Sequence, residues 1–223
     1  MLSASWAIAM KDLRIELRTK EILTTTGLFA VLMVVLGSLA FYTDRVNAAR
    51  VAPGLLWLAV LFAGILLMGR SWAKEREGEA VTGLLLTPMP PSALYLGKTA
   101  SSFILLSLIE VVLVPILAVF FHLDVTSYIG PLALLMVLGT LGFVATGTLF
   151  AAMSVRTRAR DLMLSIVIFP LVAPALLSTA VATRELFAGA TLEETMGWIK
   201  ILLAIDLVAL FAGTVLFETL IDG

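Results

Sequence analysis

Long apolar runs alternate with short charged stretches along the chain. The pattern predicts six membrane-crossing helices, roughly Ile22–Tyr42, Ala52–Gly69, Leu94–Phe121, Gly130–Val155, Leu162–Ala182 and Trp198–Leu220, near the roughly 20 residues that hydrocarbon requires. Before the first, residues 3 to 22 place Trp6, Met10, Leu13 and Leu17 at i, i+4, i+7 and i+11, with Lys11, Asp12, Arg14, Glu16, Arg18, Lys20 and Glu21 largely elsewhere on the wheel. That spacing predicts an amphipathic helix lying on the membrane face, Trp6 at headgroup level. Between the second and third runs, Arg70 to Leu96 is strongly charged, with Lys74, Glu75, Arg76, Glu77 and Glu79 ahead of Gly83. Ala80, Val81, Leu84 and Leu85 share one face of a short helix, which Thr87-Pro88-Met89-Pro90-Pro91 ends by removing donors. Residues of about 70–92 are therefore expected to form a docking element, with Leu84 and Leu85 as apolar anchors beside Glu75, Arg76, Glu77 and Gly78. Near the other end, Thr191-Leu192-Glu193-Glu194 has capping-box spacing and predicts a short helix ahead of the last run.

Composition fixes the class. Hydrophobic residues make up 61% and charged ones 14%, against roughly 45–50% apolar in soluble domains, and the mean hydropathy is +1.08. The expectation is an all-α integral membrane protein, one permease domain over 1–223 with no separate soluble domain. Ser38-Leu39-Ala40 resembles a signal cleavage site, but the apolar run is too long and its leader too acidic for that role. A net charge of −1 argues against nucleic acid as partner. The absence of cysteine excludes disulfides and thiolate metal sites. Of the 15 basic residues, those before the first run, from Arg70 to Lys98, and at Arg156, Arg158 and Arg160 lie on one side; Arg45, Arg50, Arg184 and Lys200 lie on the other. By the positive-inside rule the first group, both termini and the docking element face the cytoplasm.

Within the apolar runs, Glu110 and Asp206 stand out. A centred carboxylate costs about 2.5–3.5 kcal/mol on insertion scales, so both are expected to face protein or water, either as a proton relay or as interhelical contacts. Pro115, one turn after Glu110, frees the carbonyl of Val111 and bends the third run, as Pro170 and Pro174 bend the fifth. Gly139, Gly142, Ala145, Thr146 and Gly147 let another helix approach the fourth. Gly97-Lys98-Thr99 imitates the end of a phosphate-binding loop, but Ser92 occupies the first-glycine position and no strand precedes it. No catalytic or metal site follows from spacing. His122, the single histidine, ends the third run, where an axial haem ligand, a pH sensor or a plain helix end are all open.

The run Lys11-Asp12-Leu13-Arg14-Ile15-Glu16-Leu17-Arg18-Thr19-Lys20-Glu21, with Ala52-Pro53-Gly54-Leu55-Leu56-Trp57-Leu58 and Glu75-Arg76-Glu77-Gly78-Glu79-Ala80, resembles the haem exporter protein B family, CcmB, of cytochrome c maturation. So do Gly83-Leu84-Leu85-Leu86, Leu96-Gly97-Lys98, Gly139-Thr140-Leu141-Gly142-Phe143 and Arg156-Thr157-Arg158-Ala159-Arg160. The resemblance covers nearly the whole chain. It implies an ABC-2 type permease in the bacterial cytoplasmic membrane, working as a homodimer with the ATPase CcmA and with CcmC and CcmD. It further implies that ATP hydrolysis on the partner drives haem export or the release of the haem-loaded chaperone CcmE. No cofactor is expected on this chain: it lacks a Trp-x-x-Trp-Asp segment, so ATP and haem belong to partners. A competing expectation, from the residues alone, is an ion-coupled transporter or channel using Glu110 and Asp206; a non-transporting scaffold is a third.

Overall fold

A left-handed residue, Lys20 (φ 53°), separates the surface helix from the first span. In the computed structural model, which describes residues 2–41, 45–77, 90–154 and 160–222, α1 (Leu2–Thr19) ends just before it and α2 (Glu21–Ala40) begins just after. α3 (Arg45–Glu77), α4 (Pro91–Phe121), a single 3-10 turn (Thr126–Tyr128), α5 (Ile129–Ser154), α6 (Arg160–Phe187) and α7 (Leu192–Asp222) complete the order. Over the described residues, α2, α3, α4, α5 and α7 contain stretches long and apolar enough to cross a membrane. α6, with 28 residues and both Pro170 and Pro174 inside it, packs against α3, α5 and α7.

Three boundaries differ from expectation. α3 starts at Arg45, ahead of the apolar run, and carries Pro53 in its interior. A proline there removes only its own hydrogen bond, which a long, packed membrane helix tolerates. At its other end α3 continues through Glu77, so Glu75, Arg76 and Glu77 close this helix instead of opening a separate one; Gly78, Leu84 and Leu85 lie outside the described residues. Thr191 and Glu194 do form the capping box: the Thr191 N–H donates to Glu194 Oε2 at 2.7 Å and the Glu194 N–H to Thr191 Oγ1 at 3.4 Å. The helix it opens, however, is α7 itself, running unbroken for 31 residues.

α5 lies at the centre, touching α3, α4, α6 and α7. Its small residues explain how. A side chain at Gly139 would collide with Trp57 of α3 and Thr179 of α6, one at Gly147 with Met68 of α3, and one at Gly142 with Asp206 of α7. The close approaches that the small-residue pattern predicts are therefore made within this chain. Trp57 also donates from Nε1 to Thr183 Oγ1 of α6 at 3.0 Å, and the Tyr95 hydroxyl of α4 lies 3.0 Å from the Ala145 carbonyl and 3.3 Å from that of Ala209. Toward the outside, α2 exposes Leu28, Leu32, Leu36 and Leu39, and α7 exposes Leu207, Val208 and Phe211. Such stripes suit a lipid surround, where exposed apolar side chains cost nothing.

Candidate functional site

The charged groups of α1 do not all point to solvent. Glycine at position 97 brings α1 onto α4, since a Cβ there would lie 2.8 Å from the Ser5 carbonyl oxygen and from Ile8. Ser5, Ile8, Ala9, Leu13 and Glu16 are buried in that contact, while Trp6 and Leu17 are exposed. The apolar stripe of Trp6, Met10 and Leu17 is thus the outward face, and the acids expected on the polar side turn inward, because cations from α3 and α4 await them.

Lys98 of α4 is one of the largest fully buried side chains among the described residues. Its ammonium lies 2.8 Å from Asp12 Oδ2, donates to Ser71 Oγ of α3 at 3.4 Å, and sits 5.6 Å from the centre of the Trp72 ring. The Ser101 hydroxyl, 3.3 Å from Asp12 Oδ2, adds another donor, and Lys11 approaches Asp12 Oδ1 to 3.3 Å. A buried cation so supplied with partners is stable; one deprived of its carboxylate is costly.

Glu16 performs a second task. Its Oε1 accepts the Leu23 N–H at 2.8 Å, so a side chain on α1 satisfies one of the orphan donors in the first turn of α2. Lys74 of α3 lies 3.9 Å from Glu16 Oε2 and 3.1 Å from Glu21 Oε2, and Arg70 donates to Thr25 Oγ1 at 2.8 Å. A half-open cavity of about 130 Å³ lies among Asp12, Glu16, Ser71, Lys74 and Lys98. Four helices therefore meet in one ion-paired junction: α1, the start of α2, the end of α3 and the start of α4. The outward face of α1 gathers Trp6, Lys11, Arg14 and Arg18 around a shallow groove, a mixture of aromatic and basic groups that suits lipid headgroups.

The intramembrane carboxylates are separate from this junction and from each other. Glu110 is 3% exposed, and its Oε1 accepts a hydrogen bond from the Thr140 hydroxyl of α5. Asp206 is 2% exposed and lies against Gly142, with neither oxygen hydrogen-bonded among the described residues. Positions 140 and 142 point to different sides of α5, because residues two apart on a helix do not share a face. The two acids thus do not converge on one path. His122 caps α4 in the left-handed region (φ 52°) and is exposed.

Comparison with known proteins decides the relationship. The model of the CcmB protein family matches residues 3–219. The chain belongs to the CcmB family. Among similar curated proteins, the heme exporter protein B of Bradyrhizobium diazoefficiens is 27% identical over 213 residues, covering 95% of this chain and 94% of that protein. The heme exporter protein B of Rhodobacter capsulatus is 29% identical over 187 residues, 84% and 85%, and that of Haemophilus influenzae 28% over 170 residues, 76% of each.

In this CcmB-family chain the expected coupling residues divide. Glu75, Arg76 and Glu77 extend α3 beyond Lys74 and so leave directly from the junction; Lys11 lines it, while Arg14 lies on the outward groove. What the sequence reading missed is the junction itself: Asp12, Glu16, Ser71 and Lys98. The signal was present in Gly97-Lys98-Thr99, where a lysine inside an apolar helix demanded a carboxylate. The false phosphate-loop pattern is a helix-contact glycine followed by a buried ion-pair lysine.

Proposed function

We propose that this chain is the membrane subunit of an ABC transporter complex in c-type cytochrome biogenesis, coupling ATP hydrolysis by a partner ATPase of the CcmA kind to haem export or to release of the haem-loaded chaperone CcmE. Family membership and the name heme exporter protein B borne by its relatives support the haem-related role. The observation that carries the coupling role is the ion-paired junction, which ties the surface helix to the ends of the two helices flanking residues 78–90. A push on those residues, through Leu84 and Leu85, and on Arg76 at the end of α3, reaches α3 and α4 together and reaches α2 through Glu16. The ATPase thereby moves a clamped four-helix unit instead of one flexible connection.

On this reading 1–223 is a single six-span permease domain of ABC-2 type in the bacterial inner membrane with both termini cytoplasmic, paired with a second copy. CcmC and CcmD are its neighbours, and haem and ATP are held by partners. It is not an enzyme by itself. The ion-coupled reading finds less support, since Glu110 and Asp206 approach different sides of α5.

The test is to purify the chain from its membrane in mild detergent and assay ATPase activity in whatever accompanies it. Co-purification of an ATPase, lost with Leu84→Asp and Arg76→Glu together with cytochrome c maturation, is the expected result. If both variants keep the ATPase and mature cytochrome c at the normal rate, the docking role is wrong.

A further inference from the structure

On the membrane-facing side, far from the junction, α4 and α5 part to leave a cleft of about 380 Å³, within the range of small-molecule sites. Val114, Pro115, Met136 and Val137 form its walls, with Glu110 and Ser107 among its lining residues. The rim is open: Val111 is 71% exposed and Val137 47%. The floor is not, for Glu110 is buried and its carboxyl is committed through one oxygen to Thr140. The other oxygen has no hydrogen-bond partner among the described residues. Glu110 is the one acidic residue among those lining the cleft, whose other lining residues are apolar apart from Ser107. An acid placed there needs a partner that hydrocarbon tails do not offer.

We propose that this cleft is a ligand site opening to the bilayer, which takes an apolar molecule carrying a single amine, its nitrogen paired with Glu110. The apolar walls select the body and the lone acid selects the head. A neutral amine can accept the Glu110 proton and pair with the carboxylate left behind, a fatty-acid carboxylate has no proton to donate, and a plain hydrocarbon leaves the second oxygen of Glu110 without a donor. The site needs no ATPase, so its failure and that of the coupling reading are separable.

The experiment uses the purified chain in phosphatidylcholine nanodiscs and dicyclohexylcarbodiimide, an apolar reagent that reaches carboxyls through lipid. The carboxyl proton passes to a carbodiimide nitrogen while a carboxyl oxygen bonds to the central carbon, and the O-acylisourea rearranges internally to a stable N-acylurea; nothing leaves. Peptide mass spectrometry is expected to find the adduct at Glu110 and not at Asp206, which is buried against Gly142, and to find none at position 110 in Glu110→Gln. A water-soluble carbodiimide is expected to leave Glu110 unmodified. Dodecylamine is expected to abolish labelling at Glu110, whereas dodecane and dodecanoate do not. Val137→Trp, a change at the exposed rim, is expected to block the reagent while the protein still elutes as one species. Equal labelling of Glu110 and Asp206, labelling by the water-soluble reagent, or labelling undiminished by dodecylamine or by Val137→Trp overturns the site. Protection by dodecane as well makes the cleft an acyl-chain groove without amine selectivity. Labelling that vanishes when partner subunits are retained makes it a subunit contact. Either result also overturns the proposal.

Discussion

Lys98 shows how much one buried charge organises. Its ammonium sits among Asp12, Ser71 and Trp72, and removing one partner of a buried pair leaves the other uncompensated, at about 3–5 kcal/mol. Lys98→Met is therefore expected to lower stability by about that amount, read from the detergent-solubilised melting transition. Asp12→Asn combined with Lys98→Met is expected to cost less than the sum of the two changes, since neither charge is then stranded; strict additivity would mean the two residues do not act as a pair. At the opposite end of α4, Asp124 is held below its ordinary value of 3.8 by the Thr126 hydroxyl and then the Thr126 N–H. A carboxylate with a depressed folded value contributes stability above its ordinary value and loses it as pH falls through the depressed one. The difference in melting temperature between the chain and Asp124→Ala is thus expected to shrink as pH drops below 3.8; a constant difference would refute the hydrogen-bonded turn as its source.

Among the elements, α1 is the piece whose position is set by contact more than by sequence pattern. Its amphipathic spacing predicts a helix with Trp6 toward lipid, and Trp6 and Leu17 are exposed. What the spacing does not give is the inward turn of Asp12 and Glu16, because a helical wheel cannot know that Lys98 and Lys74 wait on other helices. Gly97→Val tests the seat directly: a side chain at that position meets the Ser5 carbonyl, so α1 must lift from α4. Faster amide exchange across residues 5–16 and trypsin cleavage after Lys11 and Arg14 are the expected signs; protection equal to that of the parent chain would deny the contact. Five of the six expected spans, those in α2, α3, α4, α5 and α7, were legible from hydropathy alone, since about 20 apolar residues have few other uses. Their ends were not. Pro53 lies inside α3 and the Thr191 capping box opens α7 itself, because packing extends helices past the edges of the apolar runs. Glu110 and Asp206 could be picked out by chemistry, but their separation by α5 required the helix contacts.

The whole molecule is a set of long helices gathered around α5, closed on one membrane face by the charged junction. Orientation can be read without disturbing either part, since the native chain contains no cysteine and offers a clean background. With a membrane-impermeant maleimide on intact cells, Ser127→Cys, in the exposed turn after α4, is expected to label. Leu2→Cys, 81% exposed, is expected to label only after the membrane is opened. The reverse pattern would invert the topology inferred from the basic residues and place the junction outside.

The same junction imposes an order in time. Asp12 and Ser101 are 89 positions apart, and at 5–20 residues per second of synthesis that interval lasts roughly 4–18 s. During it α1 has emerged, but neither the serine nor the lysine it will clasp exists. The amphipathic face of α1, with Trp6 and its neighbouring basic residues, gives it a resting place on the bilayer surface meanwhile. The first helix made is parked in lipid until the fourth arrives to receive it.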